Sequence, residues 1–288
     1  MTGLTTHETL REIEELQRRC EEFEGISMKL NWDSLRREPG GGAAEWLVTY
    51  EDELLAGFIG LYSFGSEIEV CGMVRPGYRR RGIFTSLWKR AQSYIARGGA
   101  QTVLLNAPAA SKSAAGFLKT LPLDFDHAEY QMKWDEKQAA ERSAFENKIL
   151  PDDHVILRPA RADEMALLVA LDSRGFDMTP EEAADMYDEL AMEGNTEHII
   201  VELDGQPAGK LRLWTERHET WIYAFTVDEK LRGRGIGRSA LLQTIQREKR
   251  SGNGVNLEVS LDNPNALKLY ESCGFVITNK QDYFRYIG

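Results

Sequence analysis

An internal repeat constrains this chain more than any other feature. The stretch Val74-Arg-Pro-Gly-Tyr-Arg-Arg-Arg-Gly-Ile-Phe84 aligns without a gap on Val227-Asp-Glu-Lys-Leu-Arg-Gly-Arg-Gly-Ile-Gly237, at an offset of 227 − 74 = 153 residues. Upstream, Tyr50-Glu-Asp-Glu-Leu-Leu-Ala-Gly57 resembles Glu202-Leu-Asp-Gly-Gln-Pro-Ala-Gly209, at 209 − 57 = 152. Two matches at nearly one spacing imply a duplicated unit, and 288 residues suit two domains of ordinary size.

Each copy reads in the same order. The first match sits between β-rich runs, 46–49 then 58–62 and 198–201 then 210–214, so each predicts a hairpin with a polar turn, Asp204-Gly205 being a strong turn signal. The second match leads into a helical pattern, Leu87, Trp88, Ala91 and Ile95 in one copy and Leu241, Leu242 and Ile245 in the other. Gly98-Gly99 and Ser251-Gly252 end those helices, and Arg247, Lys249 and Arg250 put positive charge at the negative end of the dipole. Apolar strands follow at 102–105 and 255–259, and strand, helix, strand implies a parallel pair with the turn at the carboxyl end of the first strand. Both copies close on a last pair of strands, ending at 129–134 and 282–287.

The copies begin differently. The second opens with a strand and helix over 155–163; the first opens with a helix in which Leu10, Ile13, Leu16 and Phe23 share a face and Thr5 with Glu8 forms a capping box. The polar stretch 135–150 reads as a helical connector, with 151–153 as the boundary. The expected fold is a mixed α/β sheet in two domains, 1–135 and 154–288, joined by 136–153.

Composition removes several function classes. A formal net charge of −11 argues against general affinity for nucleic acid, which depends on clustered cations. The three cysteines, Cys20, Cys71 and Cys273, are far apart and form no metal or disulfide spacing. With no long apolar run, a cytoplasmic protein with no membrane partner is expected.

The chemistry concentrates at Arg232-Gly-Arg-Gly-Ile-Gly237. A helix start carries N–H groups without intrahelical partners and a partial positive charge, which together make an anion site. Gly235 and Gly237 let backbone approach phosphate oxygens closely, while Arg232, Arg234 and Arg238 add forked cationic donors. A diphosphate is the ligand expected there. A second cluster, Asn263-Pro-Asn-Ala-Leu-Lys-Leu-Tyr-Glu-Ser-Cys-Gly-Phe275, lies downstream.

Together these motifs resemble the GNAT N-acyltransferase superfamily, at Val227, Arg232, Gly235 and Gly237 and again at Asn263, Ala266, Leu269, Tyr270, Gly274 and Phe275. Leu157-Arg-Pro-Ala160 is similar to the family's first strand. The resemblance implies two tandem domains, each an α/β (α+β) fold whose mostly antiparallel sheet has splayed central parallel strands and flanking helices. It implies acetyl-CoA as co-substrate, no metal, and a primary amine of a small molecule, peptide or protein as acceptor. Phe225, Thr226 and Val227 would hydrogen-bond the pantetheine arm; Arg232, Gly233, Arg234, Gly235, Ile236, Gly237 and Arg238 would hold the diphosphate; Asn263 would contact the arm; and Tyr270 would protonate the departing thiolate. A backbone N–H would stabilise the oxyanion. The family's carboxylate on the fourth strand is replaced by Trp221, leaving Glu219 as candidate base, or water or Glu258 as relay.

The first copy keeps Arg79, Arg80, Arg81 and Gly82 but has Phe84 for the last glycine. Ser111, Ala114, Phe117 and Leu118 stand where the second copy has Asn263, Ala266, Leu269 and Tyr270. Asn106 could bind a ligand or end its strand, and the second is the expectation. The second copy is therefore expected to carry the reaction, the first to be structural or to shape a cleft. An acyl-CoA-binding sensor without turnover is the rival expectation. The acceptor pocket is expected from 176–197 and 214–220.

Overall fold

The computed structural model describes residues 6–36, 44–143, 154–176, 178–190 and 195–288. It divides into two compact units, Met1–Glu129 with Asn279–Gly288, and Tyr130–Thr278. Relative to a division at the connector, 130–135 fall in the second unit and 279–288 in the first. Thr5, most of the connector beyond Ser143, and the boundary at 151–153 lie outside the described residues.

The first unit starts with α1 (Thr6–Glu24) and α2 (Trp32–Arg36), continues through β1 (Ala44–Glu51), β2 (Leu54–Phe64) and β3 (Glu67–Val74), and then α3 (Ile83–Gly98), β4 (Thr102–Pro108), α4 (Lys112–Leu118) and the start of β5 (Leu123–Trp134). The amphipathic spacing of Ile13, Leu16 and Cys20 buries α1 against Phe58, Tyr62, Cys71 and Met73 of β2 and β3. Phe23, expected on that face, is instead 67% exposed, at the helix end where the Arg79 guanidinium covers its ring at 5.3 Å. On the other side of the sheet, Ile83, Leu87, Trp88 and Ala91 of α3 bury against Ile59, Leu61, Ile68, Val70 and Val103.

The second unit takes in the rest of β5, α5 (Glu136–Ser143), β6 (Val155–Pro159), α6 (Met165–Gly175), α7 (Pro180–Leu190), β7 (Thr196–Leu203), β8 (Gln206–Glu216), β9 (Glu219–Val227), α8 (Ile236–Arg250), β10 (Gly254–Ser260), α9 (Pro264–Ser272) and the start of β11 (Phe275–Tyr286). Its strands lie in the order β5-β10-β9-β8-β7-β6, those of the first unit in the order β1-β2-β3-β4-β11-β5. In the first unit β11 pairs antiparallel with β4, Tyr283 opposite Asn106.

Alternation along the strands sorts the faces of the second sheet. Ile199, Val201, Leu211, Leu213, Ile222, Val255, Leu257 and Val259 share a core with Ile236, Leu241 and Ile245 of α8. The opposite face therefore carries Lys210, Arg212 and Trp214 on β8, Trp221 and Tyr223 on β9, and Asn256 and Glu258 on β10. Ile200 on that face packs with Leu168, Leu171 and Tyr187 of α6 and α7.

Within that packing sits a buried ion pair. Lys210 Nζ lies 2.5 Å from Asp172 Oδ2 and donates to Tyr187 Oη at 2.8 Å, with both charged side chains at 1% exposure or less. Tyr187 Oη in turn donates to Asp172 Oδ2 at 2.5 Å. Burial lowers the Lys210 pKa, and the adjacent Asp172 carboxylate opposes that shift. Burial with the nearby Lys210 and Arg212 holds His198 down at about 4, so its imidazole is neutral around pH 7. Asp172→Ala should cost about 3–5 kcal/mol because it strands a buried ammonium, whereas an apolar pair at 172 and 210 should recover most of the loss. Urea unfolding of the two variants checks this, and equal stability of both would overturn it.

Candidate active site

Each unit contains the same parallel ladder, and each ladder stops early. β10 pairs with β9 from Gly254↔Glu219 to Leu257↔Ile222, although β9 runs on to Val227 and β10 to Ser260. β3 and β4 pair from Glu67↔Thr102 to Val70↔Leu105, and likewise run on to Val74 and Pro108. Beyond Ile222 the peptide groups of β9 that face β10 have no partner strand there. A wedge opens with unused backbone hydrogen-bonding groups on one wall, which is the splay that the family resemblance implies.

The two wedges differ by one residue. On the other side of β9, Tyr223 lies opposite Arg212 and Thr226 opposite Lys210, so Ala224 and Phe225 both stand against Leu211. Ala224 holds φ +46°, a left-handed conformation that costs a residue with a Cβ about 1–2 kcal/mol. A bulge of this kind turns a peptide out of the ladder. The equivalent stretch of β3 is regular, Gly57↔Val74 through Gly60↔Cys71 without a shift. The bulge explains why the repeat offset is 152 at the hairpin and 153 at the turn. That one-residue step is the signal by which Ala224 could have been found in the sequence.

At the end of β9 the chain makes a short 3-10 turn, Glu229–Leu231, and enters α8. Gly233 and Gly235 hold φ +77° and +82°, and a Cβ at Gly233 would meet nothing within 4 Å. Gly235 is the N-cap, without a side-chain cap bond, so no capping side chain takes up the first N–H groups of α8. A diphosphate fits this geometry: open room, uncapped donors and cationic side chains. Arg232 Nε donates to the Val227 carbonyl at 3.0 Å, which fixes the turn to the strand. Arg238 Nη1 donates to Ser272 Oγ at 2.6 Å, directing that arginine toward α9.

Strand, turn and second motif converge at Gly237. A Cβ there would lie 3.4 Å from Leu269, 3.7 Å from Val227 and 3.8 Å from Phe225. In the first unit the same space is filled from the opposite side. Phe84 on α3 packs on Gly72 of β3, which has no side chain, and meets Phe117 of α4 edge-on at 4.6 Å. The ring comes from the strand in one unit and from the first helical turn in the other, so only the second unit keeps that turn bare.

Asn263 is the N-cap of α9, its Oδ1 accepting from the Ala266 N–H at 3.1 Å, which leaves the amide nitrogen to donate elsewhere. Tyr270 is 8% exposed, tilted against Phe275, and its hydroxyl makes no hydrogen bond to another described residue. Burial pushes its pKa up to about 12, so the phenol carries its proton at neutral pH. Thr226 is buried with its side chain against Gly175 of α6.

Glu219 stands five residues before Ala224, roughly 16 Å along the strand. Its Oε1 accepts from Lys133 and its Oε2 from Asn256, both at 2.6 Å. Partial burial raises its pKa, but those two bonds and the Lys133 charge outweigh it and hold the carboxyl below its ordinary value. Glu258 accepts from Gln131 Nε2 at 3.0 Å.

In the first unit the corresponding arginine is paired with a carboxylate of the protein itself. Glu24, at the end of α1, accepts from Ser111 Oγ at 2.9 Å and Ser113 Oγ at 2.5 Å and pairs with the Arg79 guanidinium. Burial raises its pKa, but these serine bonds and the Arg79 charge prevail and lower it. Arg79 also donates to the Val74 carbonyl at 2.9 Å, as Arg232 does to Val227.

Comparison with known proteins agrees with this geometry. The acetyltransferase (GNAT) family model matches residues 8–121 and 165–275, most of both units. The chain belongs to the GNAT family. It is an N-acetyltransferase of tandem GNAT architecture, and the GNAT family uses acetyl-CoA as acyl donor. A mycothiol acetyltransferase from Kineococcus radiotolerans is 28% identical over 261 residues, covering 84% of this chain and 81% of the relative. Among solved structures, a tandem GNAT protein from the clavulanic acid biosynthesis pathway superposes with a TM-score of 0.75 at 18% identity, covering 98% of this chain and 96% of the other. A GNAT structure from Sphaerobacter thermophilus gives 0.71 at 20%, covering 95% and 91%. Among the described residues no group of side chains could hold a metal ion, and no helix is long and apolar enough to cross a membrane.

Proposed function

We propose that the second unit carries out acetyl transfer to the primary amine of a small molecule and that the first unit holds no acyl-CoA. The bulge at Ala224 carries this reading. It stands at the open end of the wedge, where a peptide N–H turned out of the ladder can meet the developing oxyanion, and the first unit has no counterpart. Acetyl-CoA supplies the activated thioester. Phe225, Thr226 and Val227 offer strand groups to its arm, Gly233 to Arg238 offer N–H and guanidinium donors to its diphosphate, and the Asn263 amide can donate to the arm. Tyr270 keeps a proton for the leaving sulfur.

Three observations support confining the ligand to the second unit. Arg79 is already paired with Glu24, Phe84 occupies the first turn of α3, and β3 is regular. The name of the Kineococcus relative supports a small-molecule acceptor. On the open face beside the wedge, Trp214 lies opposite Trp221 and Arg212 opposite Tyr223, with the guanidinium 4.8 Å from the tyrosine ring centroid. These side chains can form an acceptor cleft of rings and hydrogen-bonding groups. Of the segments expected to shape the pocket, residues 177 and 191–194 lie outside the described residues.

Incubation with acetyl-CoA and a panel of amines should release free thiol. Tyr270→Phe should cut kcat about 10- to 100-fold at neutral pH while leaving acetyl-CoA affinity within about twofold, since one proton donor is lost and no binding group. Unchanged turnover in that variant removes Tyr270 from the reaction, and absence of thiol release by the wild type with every amine overturns the function.

A further inference from the structure

We infer that Glu258 is the general base of the second unit, in a role moved from the fourth strand to the fifth. The inference rests on the reading that the second unit is catalytic.

A primary amine is an ammonium at neutral pH and has no lone pair to attack with, so a proton acceptor must stand where the amine meets the thioester. The wedge opens after the Ile222↔Leu257 pair, and Glu258 is the first residue of β10 beyond it. Val255, Leu257 and Val259 face α8, so the Glu258 side chain faces the opposite side, with Trp221 and Tyr223. Gln131 on β5 donates to its Oε1 at 3.0 Å, which orients the carboxylate.

The first unit supplies an internal comparison. The two ladders superpose at one spacing, so Glu69 on β3 corresponds to Trp221 and Asn106 on β4 to Glu258. Asn106 Nδ2 donates to Glu69 Oε1 directly, which shows that these two positions face each other across the wedge mouth. In the first unit the carboxylate is on β3 and its neutral partner on β4, the strands that correspond to β9 and β10. In the second unit an indole occupies the fourth-strand position and the carboxylate has crossed to the fifth. The acid group stands on the neighbouring strand and still borders the same mouth. Elsewhere on this face Glu219 and Lys133 pair with each other, and Arg212 lies against the Tyr223 ring.

The proton path then balances. Glu258 takes one proton from the ammonium and passes it to water. The nitrogen lone pair forms the C–N bond at the thioester carbon, the C–S bond breaks, and sulfur takes the Tyr270 phenol proton. The second nitrogen proton, shed as the amide forms, restores Tyr270.

The test uses the full chain and the best amine of the panel. Glu258→Gln should lower kcat/KM at least tenfold at neutral pH and move its alkaline rise toward the pKa of the free amine, while Glu258→Asp should fall less. A readout without turnover is the calorimetric affinity of that amine with CoA in place of acetyl-CoA. It should weaken severalfold in Glu258→Gln, but the affinity of the isosteric alcohol should not. Equal rates and pH profiles in wild type and Glu258→Gln, or a larger loss in Glu219→Gln than in Glu258→Gln, overturn the assignment while leaving the acetyltransferase reading intact. Lack of turnover by wild type overturns both.

Discussion

Titration of the full chain with acetyl-CoA should give one equivalent, and Gly235→Val should abolish it, with affinity reduced at least a hundredfold. Gly235 holds φ +82° and starts α8 with no side-chain cap bond, so no capping side chain competes for the N–H groups of the wild-type turn. Valine there costs about 1–2 kcal/mol in backbone strain alone and occupies the room a phosphate oxygen needs. Each charge-assisted bond lost adds about 1.5–3 kcal/mol, and a hundredfold corresponds to about 2.8 kcal/mol. Two equivalents in the wild type would mean that Glu24 yields Arg79 to the ligand, and would overturn the assignment of one site. Residual single-site binding in Gly235→Val would place the ligand elsewhere.

Deletion of Ala224 should lower kcat about 10²- to 10³-fold, the usual cost of losing one oxyanion donor. The deletion removes one of the two residues opposite Leu211 and leaves the pairs on either side, Tyr223↔Arg212 and Val227↔Gly209, in register. It converts β9 into the regular arrangement of β3. Because the left-handed alanine is strained, thermal stability should hold or rise while activity falls. Full activity in the deletion variant, measured by thiol release beside its melting curve, would separate the bulge from the chemistry.

Much of the fold was legible because its signals are local. The hairpins, the helix stops at Gly98-Gly99 and Ser251-Gly252, and the glycine turn all follow from residues close together in the chain, and the structure places each there. The duplication was legible from spacing, and the step from 152 to 153 already carried the bulge, although only the strand register gives that step a meaning. Phe23 was misplaced because its helical position says nothing about Arg79, which is distant in sequence and stacks on its exposed ring. The commitment of Glu219 was invisible for a similar reason: Lys133 and Asn256 lie on other strands, and no spacing along β9 announces them. The capture of Arg79 by Glu24 likewise joins the end of α1 to the turn before α3.

The division of the chain into units bears on whether either repeat can stand alone. Residues 279–288 complete the first unit and 130–134 belong to the second, so neither repeat, cut from the other, contains its own last strand segment. A fragment ending at the connector would leave β4 with a bare edge where Tyr283 and its neighbours pair, an invitation to aggregation. The first unit is therefore expected to need 279–288 to complete its sheet, whatever ligand either half holds.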